Sequence, residues 1–474
     1  MQENYDYDVT IIGAGISGLV CGCYLVKAGL KTLIVEKNAK PGGYCTSFVS
    51  KGFHFDTCAH AISSLRKDGR LSKLLNGIGI NDQLSTKKHD PSEVIITPNH
   101  KIEIFSDFGQ TVSEFQKNFP KQKKQIEEFF KFIVFSPIDE FIQLRGTVFE
   151  QMLDKYFDDT KLKTILSIMM LQLVGLHPSR LSAVVACLLW REFMFDGGYY
   201  PVGGIQRLAD VLLERFIELN GETIFCKKVR EIKINKNIAK GIVLEDERFL
   251  RSRYVVSACD ARQTFFDLLG QHNISDEITA TINSMEPSSS GFLVYLGLNE
   301  YPNDLSKLRA NHYIINNCDM DKLYSSFLNC DNEHFAITSS TIRDPSLGRK
   351  ESICLASNGL YKKQSYWNSE NKDKLANKFI KLAERIIPGL SKYIVFKGIA
   401  TPLTLYHWTL NYQGAAYGWA STPEQFQNPN ISERTAIENL YITGHWANSS
   451  SGITFVANSA FNAAKLVIRK SQRR

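Results

Sequence analysis

The residues with the clearest chemical meaning lie close to the start of the chain. Gly13-x-Gly15-x-x-Gly18 places three glycines at the spacing that lets a strand turn sharply into a helix while a pyrophosphate rests against the backbone. Gly13 allows the turn, Gly15 allows the phosphate to approach, and Gly18 allows the helix to pack closely. The helix start around Ser17 contributes unpaired N–H groups and partial positive charge. Glu36, with Lys37 beside it, ends the next apolar run, where a carboxylate accepts hydrogen bonds from adenosine ribose hydroxyls. Together these residues predict a dinucleotide site.

The elements that must hold them are equally local. Tyr7 to Ile12 is β-branched and apolar, Leu19 to Ala28 has helical composition and is stopped by Gly29, and Lys31 to Glu36 is the next strand. This is a βαβ unit. From Phe115 to Trp190 the chain is rich in Phe, Leu, Ile and Met, which predicts amphipathic helices around an apolar space. A turn at Pro201-Val202-Gly203-Gly204 leads into a helix from Ile205 to Leu219. Strands follow at Thr223–Phe225, Val229–Ile234, Ala239–Leu244 and Tyr254–Ala258. Ser290–Leu298 and Ile353–Ser357 are further strands, and Asn371–Ile387 is helical. A short strand runs into Gly444, and Gly452–Ile468 is a closing helix.

The fingerprint continues into Pro41-Gly42-Gly43-Tyr44-Cys45-Thr46-Ser47 and Gly52-Phe53-His54-Phe55-Asp56, and this extended pattern resembles the FAD-binding N-terminus of the amine oxidase and phytoene desaturase superfamily. The resemblance implies that Gly42, Gly43, Thr46 and His60 neighbour the cofactor. Pro201 to Gln206, with Gly221-Glu222 and Val229-Arg230-Glu231-Ile232, is similar to the second FAD segment, where the Val229 backbone would meet the adenine. Thr401-Pro402-Leu403-Thr404 with Gly414 to Trp419 resembles carotenoid isomerases and retinol saturases. Asn439 to His445, closed by Ser451-Gly452-Ile453, resembles the flavin-contacting end, adding Gly444, Gly452 and Ile453 to the cofactor neighbours. Asn448 to Ser451 stands where the family commonly carries glycines, and its hydroxyls imply a more polar substrate end.

On this resemblance the fold class is α/β. A Rossmann-like FAD domain of the glutathione-reductase and amine-oxidase type is formed by 1–85, 195–270 and 425–474. A mixed-sheet and helical substrate domain is formed by 86–194 and 271–424. The implied activity is FAD-dependent oxidation, reduction or isomerisation of C–C bonds in a long apolar chain, carotenoid, isoprenoid or fatty-acyl, including carrier-bound chains. The alternatives are an amine or porphyrinogen oxidase on the same scaffold and a non-enzymatic lipid-binding chaperone. Flavin performs most of such chemistry, so few catalytic side chains are needed: His60, His445 and Tyr417 are the candidates. Tyr417 and Trp419 are a tunnel wall or core, and Phe129 to Met194 is the region assigned to substrate. His407 and Trp408 are weaker candidates, and His177 beside Pro178 is structural. Asp196 before Gly197-Gly198 is a turn former, and Asp260 a helix cap.

Composition narrows the remaining classes. With 43% hydrophobic and 22% charged residues, the 474-residue chain is an ordinary globular one. Its 56 Lys and Arg against 49 Asp and Glu do not make a nucleic-acid binder. Ten cysteines without a C-x-x-C pair indicate neither a zinc site nor a dithiol centre, and imply a reducing cytoplasm. A single dinucleotide fingerprint argues against a second, nicotinamide-binding domain, so electrons would pass through substrate, oxygen, a quinone or a partner protein. The most apolar stretch, Thr164 to Leu176, has 13 residues, short of the roughly 20 needed to span a bilayer. Membrane contact is therefore expected to be peripheral, through the basic clusters Lys117, Lys121, Lys123, Lys124 and Arg469, Lys470, Arg473, Arg474.

Overall fold

The computed structural model describes residues 4–426, 428–447 and 452–473, with the backbone alone of Phe193 and Met194. Asn448 to Ser451 and Arg474 lie outside the described residues.

β1 (Tyr7–Ile12) is paired in parallel on both edges, with β2 (Thr32–Val35) on one side and Phe249–Ser257 on the other. A strand covered on both faces needs apolar residues without alternation, which is why Val9 to Ile12 reads as one unbroken run. Its one polar member, Thr10, shares a 2.8 Å hydrogen bond with Ser252. α1 (Ile16–Lys27) connects β1 to β2 and ends where Gly29, at φ +84°, turns left-handed and Leu30 N–H reaches back to the Leu25 carbonyl.

Seven strands complete this sheet. In order they are 229–235, 238–244, 249–257, β1, β2 and 222–224, with 440–442 continuing alongside 255–257. The C-terminal helix Ile453–Gln472 lies against α1 through fully buried Ala457, Ala460, Ala463 and Ala464, small enough for the two backbones to approach.

A second seven-stranded sheet has the order 394–400, 290–298, 352–359, 334–338, 311–315, 93–96 and 101–104. Five of these strands, at 93–96, 101–104, 311–315, 334–338 and 394–400, are not among those read from the sequence. His334–Thr338 is buried at all five positions, so no polar face marks its period. The helix Thr160–Val174 covers part of this sheet. Asp159 caps it by accepting from the N–H groups of Lys161 and Leu162, and Gly175 at φ +70° ends it. Apolar residues surround this helix because protein surrounds it.

The expectation that Phe129 to Met194 forms the substrate wall is corrected by this packing. Phe129, Phe130, Ile133, Met152, Met169 and Met170 are buried against one another as core. From that stretch, among the described residues, only Gln172, Leu173, Leu189 and Glu192 line the sheet-facing cavity described below. Among the described residues, no helix is long and apolar enough to cross a membrane.

Candidate active site

The turn from β1 into α1 is closed by backbone touching backbone. A Cβ on Gly18 would lie 2.0 Å from the Gly13 carbonyl oxygen, and Gly13 itself adopts φ +101°. Gly18 therefore serves the site by packing, and it does not line the cavity. Gly15 is different: a Cβ there would meet nothing within 4 Å, because the residue borders a cavity of about 260 Å³. Across from it, Gly42 donates to the Ala14 carbonyl at 2.8 Å, and Gly43 also lines the cavity.

Two features suit this space to an anionic dinucleotide. α1 begins at Gly15 with no side-chain cap and no acid in its first turn, so its leading N–H groups keep their donor capacity. Glu36 sits at the wall with Oε2 accepting from Ala14 N–H and Oε1 from Asn38 N–H, each at 2.8 Å. Each oxygen retains a second lone pair for a hydroxyl donor. Val229, Lys227 and Lys228 line the cavity, as do Tyr44, Tyr417, Gly444, His445, Gly452 and Ile453. Ser17 lines it beside Gly444, where a Cβ would lie 3.0 Å from the Ser17 Oγ. Lys37 also lines it, and donates to Asn38 Oδ1 at 3.1 Å and to the His407 carbonyl at 3.2 Å; burial lowers its pKa.

A strap from 407 to 415 covers the cavity, and most of its members went unmarked in the sequence. Trp408 Nε1 donates to the Gly43 carbonyl at 3.1 Å, Asn38 Nδ2 to the Trp408 carbonyl at 3.2 Å, and the Tyr44 hydroxyl to the Ala415 carbonyl at 2.9 Å. Asp260 holds the strap's end by accepting from Tyr412 N–H at 2.7 Å while capping the turn at Gln263. Burial raises its carboxyl to about 6.

A second cavity, of about 200 Å³, shares Cys58, Ala59, Ala416, Tyr417, Gly452 and Ile453 with the first. It lies between the second sheet (Leu293, Tyr313, Thr338, Ala356) and the helices carrying Gln172 and Leu189. A third, of about 740 Å³ with Phe48, Tyr295, Trp367 and Phe396 in its wall, adjoins Tyr44, Cys58 and Trp408. Cys58 thus borders all three cavities, a role the sequence did not assign to it.

Several expected positions move. His60 lines the second cavity and is absent from the walls of the first, because its segment turns toward the second sheet, where Arg343 binds its carbonyl. Thr46 is fully buried behind the glycine turn, with its hydroxyl on the Gly43 carbonyl and on Thr57. Trp419 is core: it packs edge-on to Trp446 at 4.7 Å and donates to that residue's carbonyl. Asp196 is no mere turn former, since it accepts from Leu65 N–H and pairs with Arg66 at 3.1 Å. His177 hydrogen-bonds Ser179 at 2.7 Å and lines a different cavity, not these three.

Burial pushes His445 down to about 4, and burial with the Arg343 charge pushes His60 down to about 3. Both are therefore neutral imidazoles at pH 7, able to accept or donate a hydrogen bond but holding no acidic proton in reserve. Burial raises the Tyr417 hydroxyl, which stays a phenol.

The chain belongs to the flavin-containing amine oxidoreductase family, whose model matches residues 16–468. Its cofactor is FAD. It is 24% identical to an all-trans-retinol 13,14-reductase of Danio rerio over 93% of this chain and 82% of that one. It is 25% identical to a lycopene-forming phytoene desaturase of Pseudescherichia vulneris over 98% of this chain and 99% of that one. An oxidoreductase of Methanosarcina mazei shares the fold, with TM-score 0.72, 16% identity, and coverage of 96% of this chain and 99% of the other.

Proposed function

We propose that this FAD-dependent oxidoreductase changes the unsaturation or geometry of C–C bonds in a long apolar chain. The observation that carries the reading is the shared wall. Tyr417, Gly452 and Ile453 line both the dinucleotide cavity and the second cavity, so a chain held in the second would lie beside the cofactor. The relatives named for a retinol reductase and a phytoene desaturase support the same substrate class.

FAD, when bound, supplies a two-electron acceptor or donor. The residues of this chain do the rest. Leu173, Leu189, Leu293 and Phe455 bind apolar surface, each CH₂ buried contributing about 0.8 kcal/mol. The strap from 407 to 415 excludes water from the nucleotide, and Tyr417 holds its proton at Oη next to the reacting end. Gly13, Gly15, Ser17, Gly18, Glu36, Lys37, Gly43, Val229, Gly444, Gly452 and Ile453 form or shape the cofactor site, with Tyr417 and His445 facing its reactive end.

The same reading divides the chain into the FAD unit 1–85, 195–270 and 425–474 and the substrate unit 86–194 and 271–424. The distribution of strands between the two large sheets supports this division. Collection of a water-insoluble substrate at a membrane is supported by Phe135, Ile138 and Ile142, exposed by 66%, 52% and 44%.

The test is to mix purified holoenzyme anaerobically with polyene hydrocarbons, polyene alcohols and diamines, following flavin absorbance and analysing products by mass spectrometry. The expected result is a changed number or geometry of double bonds in a polyene. Bleaching by amines alone, with peroxide formed on admitting air, overturns the reading in favour of amine oxidation.

A further inference from the structure

The cavity that would hold the chain is less apolar than a hydrocarbon requires. Gln172 donates Nε2 to the Ala356 carbonyl at 2.8 Å, while its Oε1 is buried with no partner among the described residues. His60 keeps Nδ1 3.3 Å from the Thr338 hydroxyl and leaves Nε2 buried and unpartnered. The Tyr417 backbone N–H donates to Ser288 Oγ, and its hydroxyl has no hydrogen-bond partner among the described residues. All three side chains line this one cavity. Buried polar atoms are nearly always satisfied, so two unpartnered ones, Gln172 Oε1 and His60 Nε2, on residues lining one cavity mark a missing polar partner.

The charges around the cavity are already engaged. Glu192 accepts two bonds from Arg66, at 3.1 and 3.0 Å, and one from the Ser64 hydroxyl at 2.8 Å. Arg343, behind the wall, is spent on the His60 and Arg309 carbonyls and on Asn311 Oδ1. Glu93, which accepts from Asn311, is pushed up to about 8 by burial and is largely neutral at pH 7. In the cavity wall itself the ionised side chain is Glu192, already paired with Arg66, so an ionised ligand group would find no free salt-bridge partner among the lining residues, and an uncompensated buried charge is strongly disfavoured.

We propose that the second cavity recognises an uncharged oxygen function, an alcohol or a carbonyl, on the apolar chain, with Gln172, His60 and Tyr417 as its hydrogen-bond partners. This rests on the apolar-chain reading above and narrows it. An alcohol suits the set best, since it donates to Gln172 Oε1 while accepting from Tyr417 Oη, and the neutral His60 ring adapts to either role by tautomer.

The experiment titrates the holoenzyme with a matched C15 series, farnesene, farnesol, farnesoate and farnesylamine, reading affinity from the flavin absorbance. Farnesol is expected to bind roughly tenfold tighter than farnesene, and tighter than either charged analogue. The ratio of farnesol to farnesene affinity is expected to fall toward one in Tyr417→Phe and in Gln172→Leu. Tyr417→Phe decides the matter should Gln172→Leu fail to fold through loss of its bond to Ala356. Equal affinity for farnesene and farnesol, as for a site satisfied by water alone, overturns the inference and leaves the apolar-chain reading standing. Tightest binding of farnesylamine, or no binding by any of the four, overturns that reading and the inference with it.

Discussion

Gly15 and Gly18 are three residues apart, yet their replacement by alanine is expected to damage different things. In Gly18→Ala the new Cβ would lie 2.0 Å from the Gly13 carbonyl oxygen and 3.4 Å from Ala258 Cβ, so α1 must move by more than an ångström. Overpacking of this kind costs about 1–3 kcal/mol, offset by up to about 1 kcal/mol of helix propensity gained over glycine. Gly15→Ala meets nothing within 4 Å and sits at φ −69°, which alanine adopts without strain. Its methyl group enters the cavity instead. The assay pairs calorimetric melting of apoprotein with FAD affinity measured by flavin fluorescence. Gly18→Ala should lower the apoprotein Tm by about 1–2 °C for a cooperative unit of this size. Gly15→Ala should leave that Tm within error while weakening FAD at least tenfold, about 1.4 kcal/mol. The reasoning fails if Gly15→Ala melts as early as Gly18→Ala, or if it binds FAD like the wild type.

Glu36→Ala should destabilise even the apoprotein, since the buried N–H of Ala14 and the half-buried N–H of Asn38 each lose a 2.8 Å acceptor, the first at about 1–3 kcal/mol; an unchanged apoprotein Tm would show that the carboxylate does not brace the turn. Glu93 titrates near 8 in the fold against 4.5 ordinarily, so the native state keeps a proton that the unfolded chain has lost. Its contribution to stability therefore falls as pH rises through that window and is flat above it. Glu93→Gln should flatten the stability profile between pH 5 and 8, and an identical slope in urea unfolding would refute the assignment. Replacing Phe135, Ile138 and Ile142 together by serine should reduce co-sedimentation with liposomes while changing stability by no more than about 0.5 kcal/mol per site; undiminished sedimentation would remove that patch from consideration.

What the sequence determined by itself is the part of the site whose chemistry is written in contiguous backbone. The turn at Gly13, the open position at Gly15, the packing position at Gly18 and the carboxylate at Glu36 all lie on one βαβ unit, where strand, helix and glycine spacing fix geometry over short range. Val229, Gly444, Gly452 and Ile453 were legible through longer motifs, and all four line the one cavity.

Only the tertiary structure decided on which side of a wall a residue stands. Phe129 and Leu173, or Trp419 and Tyr417, look alike in sequence, because burial against protein and burial against a ligand select the same side chains. His60 turned to the second cavity, and Thr46 withdrew behind the glycines. The strap reached Gly43 from Trp408, 365 positions away. Such contacts depend on how two sheets and the helices between them close on one another, a long-range packing outcome with no local period to record it.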